Sequence, residues 1–459
     1  MPLITPFLDR AYPVAVRGEG SYIYDAEGTS YLDGCSGAVT AAIGHGVDEI
    51  VEAMTEQAAR ISFSYRGQFS NPPAEMLAEE LSSQAPGDLD WVFFVNSGSE
   101  AMETAQKIAV QYWRERLMPT KTIVLGRSLG YHGITLGALS MSGHVVRRRL
   151  FAPLLHGFPV VAPPYCYRCP LGRSYPSCDI ACADDLEEKV TSIGAHSIAG
   201  FAVEPVIGAA GGAIPPPPEY FPRIKEICER RHILLIADEV MTGSGRTGYA
   251  HALDHWHVQA DLVALGKGLT AGYTPLAATL VSDAVVQTIR EGSGAIMSGH
   301  TFSGNPLSCA VALAVCRYMA EHKLVERSRS LEAVLARRLG ELEERHPAVG
   351  NVRGMGMLWG VELIADRLTR TPFPSSCQAT ARLVEAAQDR GLLLYPALAG
   401  ADSRPGDAVI IAPPLNISET DLDRLIAILD DALYDVEEQL QSDMWVIHGA
   451  ETVGCEPPQ

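Results

Sequence analysis

Short apolar runs alternate with amphipathic helical stretches between Trp91 and Asp283. The run "WVFFV" precedes the helical stretch "SEAMETAQKIAVQYW", and the later runs "KTIVLG", "SIAGFAVE", "RHILLIAD", "DLVAL" and "PLAATLV" each end in a loop rich in polar residues and glycine. Strands that are apolar on both faces and separated by helices are typical of a mainly parallel sheet. The pattern therefore predicts a large α/β domain whose ligands bind at the strand ends.

The pattern changes from about Leu324. Three long amphipathic stretches, of which "LEAVLARRLGELEERH" is the first, lie between short apolar segments such as "GMGMLWGVELI" and "AVIIAPPL". This predicts a second, smaller α+β domain. We expect an N-terminal segment at 1–55 that packs with the small domain, a large domain at 56–323, the small domain at 324–445, and a mobile tail at 446–459.

Composition and charge exclude several classes of function. The 459 residues are 47 % hydrophobic, and 36 Lys+Arg against 55 Asp+Glu give a net charge of −19, which repels nucleic acids and other polyanions. The triplet at 147–149 is the one basic run, and we interpret it as a solvated turn or helix face. No apolar run reaches the roughly 18 residues of a membrane span, and the N-terminus lacks a signal-peptide pattern, so we expect a cytoplasmic protein without membrane or nucleic-acid partners.

Three groups with distinct chemistry follow the predicted strands. The turn at 96–99 opens a helix, where unpaired N–H groups favour an anion, although such a turn is more often an ordinary helix cap. Asp238 ends an apolar strand and needs a cationic or hydrogen-bonding partner there. Lys267 lies between two glycines after another strand, where burial would lower the pKa of its amine and make it nucleophilic; a surface lysine is the alternative. Together, these groups describe a pocket for pyridoxal phosphate.

Several motifs in order resemble one known family over nearly the whole chain. They are "GSYIYDAEGTSYLDGCSG", "NSGSEAMETAQKIA", "GYHG", "VEPVIGAAGG", "ADEVMTGSGRTG", "ALGKGLTAGYTPLAA", "HTFSGNPLSCAVALA" and "VIIAPPLNIS". The sequence resembles the class III (omega) aminotransferases, which have the pyridoxal-phosphate-dependent fold type I. The resemblance implies an aminotransferase that moves an amino group from an amine or ω-amino acid to a keto acid, usually pyruvate or 2-oxoglutarate.

The resemblance also assigns roles around the cofactor ring. It implies that Lys267 is the Schiff-base lysine and that Asp238 pairs with the protonated pyridine nitrogen. Tyr131 would cover one face of the ring and Val240 would pack on the other face. Glu204 matches the family glutamate of "EP", which is placed near the O3′ side of the cofactor.

The phosphate site and the oligomeric state are implied in the same way. Ser97, Gly98 and Ser99 match the phosphate-binding turn of the family, and His132 belongs to the cofactor-binding "YHG" motif. Thr301, in "HTFSGNP", matches the threonine that reaches the phosphate bound by the neighbouring subunit. The resemblance therefore implies a homodimer with shared active sites.

The substrate site departs from better-known relatives. The arginine that fixes a carboxylate in the ornithine aminotransferase manner is replaced by an apolar residue at or beside Ile410, and Val39 stands where some amine transaminases carry tryptophan, which predicts a wider pocket. We expect Arg404, in "DSRPGDAVIIAPPL", to be the carboxylate-binding cation, since it resembles a mobile arginine of amine transaminases. Tyr65 and Arg66 are expected near the entrance, and Arg66 is the next candidate for a substrate carboxylate. A solvated loop arginine is the alternative for Arg404, and a surface ion pair is the alternative for Arg66.

Two other functions remain open at this point. One is a different pyridoxal phosphate reaction on the same scaffold, catalysed by a racemase, a decarboxylase, a mutase or an enzyme that forms carbon–carbon bonds. The other is a protein without enzymatic activity, against which the retained Lys267 and Asp238 argue.

Four of the ten cysteines are closely spaced. Cys166, Cys169, Cys178 and Cys182 form the pattern C-x2-C-x8-C-x3-C. Thiolates at this density can hold zinc, and the alternative is an irregular surface loop with reduced thiols. The spacing matches no standard zinc motif, so we assign no metal and treat the four cysteines as a candidate site only.

Overall fold

The computed structural model describes residues 3–399 and 406–453. The strands are β1 Ala15–Glu19, β2 Tyr22–Asp25, β3 Ser30–Asp33, β4 Trp91–Val95, β5 Ile123–Arg127, β6 Val160–Val161, β7 Ile198–Val203, β8 Leu234–Asp238, β9 Leu262–Leu265, β10 Ala277–Val281, β11 Val349–Met355, β12 Leu358–Leu363, β13 Leu392–Leu393, β14 Tyr395–Ala399 and β15 Gly406–Ile411.

The α-helices are α1 Ser36–Val39, α2 Asp48–Arg60, α3 Pro72–Gln84, α4 Gly98–Glu115, α5 Leu136–Met141, α6 Val145–Arg149, α7 Ala181–Ile193, α8 Tyr220–Arg231, α9 Asp283–Glu291, α10 Pro306–Glu321, α11 Leu324–Arg345, α12 Ala379–Asp389 and α13 Glu419–Val453. Short 3-10 helices lie at Ala152–Leu154, Ala195–Ser197, Ala252–Trp256, Lys267–Leu269 and Ser375–Cys377. No helix in the described ranges is long and apolar enough to cross a membrane.

Seven strands form the central sheet, in the order β4, β10, β9, β8, β7, β5, β6. The neighbours from β9 to β6 pair in parallel, whereas β10 is antiparallel to both β4 and β9. This confirms the predicted mainly parallel sheet. The parallel strands share one direction, so their carboxyl ends lie along the same edge.

Both faces of the central sheet are buried, which explains why its strands read as continuous apolar runs. Along β8, Leu235 and Ala237 belong to one core cluster, and Leu234 and Ile236 belong to the cluster on the other face. All five residues of β8 are buried, including the terminal Asp238. Burial of this kind fixes the register, because a slip of one residue would exchange the two faces.

A second sheet, in the order β11, β12, β15, β14, is antiparallel throughout. A third sheet joins β1, β2 and β3 to β13, and Leu32 of β3 pairs in parallel with Leu392 of β13. A separate core cluster contains residues of β11, β12, β15 and the helices α10 to α13. Helix α13 continues to Val453, so the tail expected from residue 446 lies partly in this helix and partly outside the described residues. The domain boundaries remain predictions.

A buried carboxylate connects the second sheet to the loop that carries the four cysteines. Glu362 on β12 is fully buried and accepts hydrogen bonds from Arg353 Nη1 at 2.5 Å, from Arg168 Nε at 3.0 Å and from the Tyr165 hydroxyl. Arg353 also donates to the carbonyls of Gly211 and of residue 212, at 2.8 and 3.0 Å. Two arginines on one buried carboxylate supply the partners that its charge requires.

Candidate active site

A cavity of about 520 Å³ lies at the carboxyl ends of the parallel strands. Residues that follow β4, β5, β7, β8 and β9 all contribute to it. Its lining consists of Ala38, Thr40, Asn96, Ser97, Gly98, Ser99, Tyr131, His132, Gly133, Arg147, Glu204, Ala209, Asp238, Val240, Met241, Lys267, Thr270, Gly272, Tyr273, Thr274, Pro275, Leu276 and Tyr395. The strand-end position matches the rule that open α/β sheets bind their ligands there.

Lys267 lies just beyond the end of β9. Gly266 continues the extended backbone, and Lys267 then begins a 3-10 turn with a φ of 44°. Burial lowers the pKa of its amine, and the carboxylates of Asp238 and Glu204 partly oppose that shift. Within the described part of the chain, no hydrogen bond or ion pair holds this amine. A buried amine of this kind is suited to attack a carbonyl group.

Asp238 ends β8 at the edge of the cavity and is 5 % exposed. Its Oδ2 lies 2.8 Å from Nδ1 of His132, and its Oδ1 accepts a hydrogen bond from the Val240 N–H at 3.1 Å. The other ring nitrogen of His132, Nε2, is buried without a partner in the described residues. These contacts orient the carboxylate, and a carboxylate is the group that pairs with a protonated nitrogen.

The N-terminus of α4 supplies an anion site. The Ser97 hydroxyl accepts a hydrogen bond from the Glu100 N–H, while the Glu100 side chain accepts from the N–H of Asn96 and of Ser97. The N–H groups of Gly98 and Ser99 have no acceptor among the described residues. A Cβ at position 98 would lie 2.7 Å from Val240 Cγ1, so this position requires glycine. Two unpaired N–H groups at a helix N-terminus suit a phosphate.

Glu204 follows β7 and is 4 % exposed. Its carboxylate accepts hydrogen bonds from the N–H groups of Tyr131 and Gly208, each at 3.0 Å. Burial raises the pKa of this group, while the positive charges of His132 and Arg127 oppose that shift. Glu204 therefore fixes the backbone at Tyr131, whose partly buried ring lines the cavity.

Two residues that the sequence did not assign also line the cavity. The Arg147 guanidinium lies 4.6 Å from the centre of the Tyr131 ring and donates from Nη1 to the Tyr131 hydroxyl at 3.2 Å. Tyr395, at the start of β14, lines the cavity from the second sheet. Arg147 belongs to the basic triplet that we interpreted as a solvated face. Arg147 is exposed, as that interpretation expects, while its neighbour His144 is buried and in edge contact with Tyr131.

Several sequence candidates do not line the cavity. Val39 has a φ of 59° and is 2 % exposed in a core cluster, while its neighbours Ala38 and Thr40 line the cavity instead. Arg66 packs over the Phe93 ring, at 4.7 Å from its centre, and donates to the carbonyl of Ser298.

The remaining candidates are Tyr65, Thr301 and Arg404. Tyr65 is 52 % exposed and Thr301 is also exposed, and neither lines the cavity of the single chain. Arg404 lies outside the described residues.

The four cysteines of the 166–182 loop border a second, much smaller cavity of about 10 Å³. Cys166 is exposed, Cys182 is buried, and all four are free thiols. Burial raises the pKa of the Cys182 thiol to about 12. Within residues 3–399 and 406–453, no three His, Cys, Asp or Glu side chains are grouped as metal ligands. The zinc interpretation stays an untested prediction.

The donor set of the large cavity fits pyridoxal 5′-phosphate. The amine of Lys267 has no partner in the described residues and can react with the aldehyde of the cofactor. The carboxylate of Asp238 can pair with the ring nitrogen of the cofactor. The unpaired N–H groups of Gly98 and Ser99 offer donors for the phosphate. All three features border one cavity, so a single molecule can engage them together.

Comparisons with known proteins agree with this chemistry. The family model described as "Aminotransferase class-III" matches residues 8–433. The chain is 49 % identical over 441 residues to the "Uncharacterized aminotransferase YodT" of Bacillus subtilis, covering 96 % of this chain and 99 % of the relative. It is 35 % identical over 417 residues to a putrescine–pyruvate aminotransferase of Pseudomonas aeruginosa, covering 90 % of this chain and 89 % of the relative. The crystal structure of an (S)-enantioselective omega-transaminase from Thermomicrobium roseum superposes with a TM-score of 0.88 at 38 % identity, covering 95 % of this chain and 96 % of that chain.

Proposed function

We propose that this chain, which belongs to the class III aminotransferase family, binds pyridoxal 5′-phosphate in the cavity at the strand ends. The enzyme is an aminotransferase that moves an amino group from an amine or amino acid to a keto acid. The observation that carries the cofactor proposal is the shared cavity of Lys267, Asp238 and the unpaired N–H groups of α4.

Bound pyridoxal phosphate supplies an aldehyde that condenses with amines and a ring that withdraws electrons from the bonds of the substrate carbon. The N–H groups of Gly98 and Ser99 would bind its phosphate, and the Tyr131 ring and Val240 would border its ring. Asp238 Oδ2, oriented by His132, would keep the ring nitrogen protonated.

Lys267 moves the proton in this proposal. Burial lowers the pKa of its Nζ, so a larger fraction of the amine is neutral near pH 7 than in an exposed lysine. A neutral Nζ can accept a proton from the substrate carbon and deliver it to a neighbouring carbon. The positive charge that Nζ then carries is stabilised by Asp238 and Glu204, whose charges raise its pKa.

We further propose a homodimer in which two subunits complete each cavity. Thr301 is exposed and does not line the cavity of its own chain, as is expected of a residue that reaches the phosphate of the partner subunit. Tyr65 and Arg66 would border the entrance of the same shared site. A dilution series followed by ultracentrifugation and activity tests the dimer, because a fully active monomer would contradict it.

Amines and ω-amino acids are the proposed donors, and pyruvate or 2-oxoglutarate is the proposed acceptor. A relative named putrescine–pyruvate aminotransferase and a structural neighbour named omega-transaminase support this range. Arg404, which the sequence proposes as a mobile cation for the acceptor carboxylate, lies outside the described residues.

The experiment that tests the function separates the two halves of the reaction. Purified enzyme loaded with pyridoxal phosphate is incubated with a panel of amines without any keto acid. An aminotransferase releases about one equivalent of aldehyde or ketone per active site and then stops, and it resumes turnover when pyruvate or 2-oxoglutarate is added. Continued turnover without an acceptor, with racemisation or loss of carbon dioxide, would replace this proposal with another pyridoxal phosphate reaction.

A further inference from the structure

Arg147 lines the cavity but has no role in the sequence motifs or in the proposed binding of the cofactor. Among the described residues that line the cavity, the basic side chains besides the histidine are Lys267 and Arg147, while Asp238 and Glu204 supply the acidic groups. Asp238 pairs with His132, and Glu204 accepts two backbone hydrogen bonds. Among the described lining residues, Arg147 therefore offers the positive charge that the cofactor does not require.

The contacts of Arg147 leave most of its donors free. Its guanidinium lies over the Tyr131 ring at 4.6 Å from the centre, and Nη1 donates to the Tyr131 hydroxyl at 3.2 Å. Within residues 3–399 and 406–453, no carboxylate lies within ion-pair distance of it. A guanidinium has five N–H donors in a planar fork that matches a carboxylate. Stacking on Tyr131 orients this fork while leaving several donors open to a ligand.

Its position also connects Arg147 electrostatically to the reacting group. The charge of Arg147 contributes to the lowered pKa of Lys267, so the two cations share one region of the cavity. His144, in edge contact with Tyr131, has a pKa lowered to about 4 by burial and is neutral at pH 7. Arg147 is therefore the charged group that the Tyr131 side of the cavity presents, and a keto acid that enters must place its carboxylate near a cation.

We propose that Arg147 binds the carboxylate of the substrate, so that the preferred substrates are keto acids and ω-amino acids rather than neutral amines and aldehydes. This inference rests on the proposed aminotransferase function of the same cavity. It assigns to Arg147 the role that the sequence gave to Arg404 and Arg66. Arg66 packs on Phe93 outside the cavity lining.

The test compares substrates that differ only by a carboxylate. Pyruvate is paired with acetaldehyde, and 4-aminobutyrate is paired with propylamine. The variants are Arg147→Gln and Arg147→Lys, and the control is Arg149→Gln, which removes an exposed arginine of the same helix that does not line the cavity. We expect Arg147→Gln to raise KM for pyruvate and 4-aminobutyrate by about tenfold or more, with partial rescue in Arg147→Lys. The KM values for acetaldehyde and propylamine should change by less than about threefold.

A second measurement does not depend on turnover. Butyrate has no amino group and cannot react, and its binding to the loaded enzyme can be titrated through the absorbance of the bound cofactor. Arg147→Gln should weaken butyrate binding by about tenfold, whereas Arg149→Gln should not change it. If no amine or keto acid reacts with the unaltered enzyme but butyrate binding still depends on Arg147, the proposed function fails and the carboxylate site stands.

Two results would overturn the inference. Equal losses for charged and neutral substrates would show that Arg147 only positions Tyr131. Arg147→Gln could instead bind pyridoxal phosphate itself more weakly while the ratio of KM values between the charged and the neutral substrate of each pair stays unchanged. That result would show that Arg147 holds the cofactor phosphate.

Discussion

The cavity at the strand ends and the cysteine loop at 166–182 are both marked by spaced, chemistry-bearing residues, and among the described residues the cavity is the one that holds donors for every part of a single ligand. Lys267, Asp238 and the turn at 96–99 come from three different strands and border one space. The four cysteines are far closer in sequence, and they border a small cavity without forming a metal-ligand group in the described residues. Short spacing in the sequence is therefore a weaker guide to a site than a position at the carboxyl end of a strand in the central sheet.

The difference follows from what fixes the backbone in each region. Asp238 pairs in register with Ala264 of β9, and Lys267 lies two residues after the last residue of that strand. The cysteine loop instead passes through left-handed conformations at Asp179 and Ile180 and contains no strand between residues 162 and 197. Sheet registers can be inferred from apolar patterns, whereas loop paths depend on individual turn conformations.

The strongest challenge to this comparison is Lys267→Ala, which removes the amine from the cavity. We expect turnover to fall by about 10²–10⁴-fold or more, because the proton carrier is lost, while pyridoxal phosphate still binds without a covalent bond. Lys189→Ala on α7, outside the cavity lining, is the control. Turnover that survives in Lys267→Ala would show that the strand-end cavity is not the catalytic centre.

The next largest effect is expected from Asp238→Asn. The amide keeps the size of the side chain but has no charge to hold a protonated ring nitrogen, so turnover should fall by roughly 10²-fold with cofactor affinity much less affected. Stopped-flow measurement of the first half of the reaction isolates this loss. A near-normal rate would mean that another group, rather than Asp238, holds that proton.

A smaller effect concerns the pH dependence of cofactor capture by the apoprotein. Burial lowers the pKa of Lys267, so the neutral amine forms at a lower pH than the ordinary lysine value of 10.5. The rate of covalent attachment of pyridoxal phosphate should therefore rise with pH with a midpoint below that value. Glu204→Gln should move the midpoint to a lower pH, because the Glu204 charge raises the pKa of Lys267. A midpoint at the ordinary value would indicate a solvated amine.

The smallest effect is expected in the cysteine loop. Cys166 is exposed and does not line the large cavity, so Cys166→Ser should change kcat/KM by no more than about twofold. Elemental analysis of protein purified without added metal provides the second measurement. Zinc near one ion per chain, lowered by Cys166→Ser, would show that the loop does converge on a metal and would remove the contrast between the two regions.

The residues that sequence could predict are those attached to strand ends. Asp238 and Lys267 lie at the ends of apolar runs that the pattern predicts to be mainly parallel strands, Glu204 was assigned through the family resemblance, and the structure places all three on one cavity. Arg147 and Tyr395 could not be predicted in this way, because they arrive through the packing of a five-residue helix and of a strand in another sheet.

Two other expectations depended on side-chain direction, which a sequence pattern does not specify. Val39 adopts a positive φ and packs in the core, so it does not line the cavity. We had expected its small side chain to widen the substrate pocket. Arg66 is engaged by an aromatic ring and a backbone carbonyl instead of facing the cavity. Their roles in a shared site depend on a second subunit and stay predictions.

Glu362 links the cysteine loop to the second sheet and, through Arg353, to the segment that follows β7. Its hydrogen bonds tie the cysteine loop to the second sheet through Arg168, and Arg353 extends the same network to the carbonyl of Gly211. Gly211 lies three residues after Gly208, whose N–H holds the Glu204 carboxylate. These contacts form one continuous polar connection between the second sheet and the cavity at the strand ends, and its charged members Glu362, Arg353 and Glu204 are buried, so solvent and salt reach them poorly.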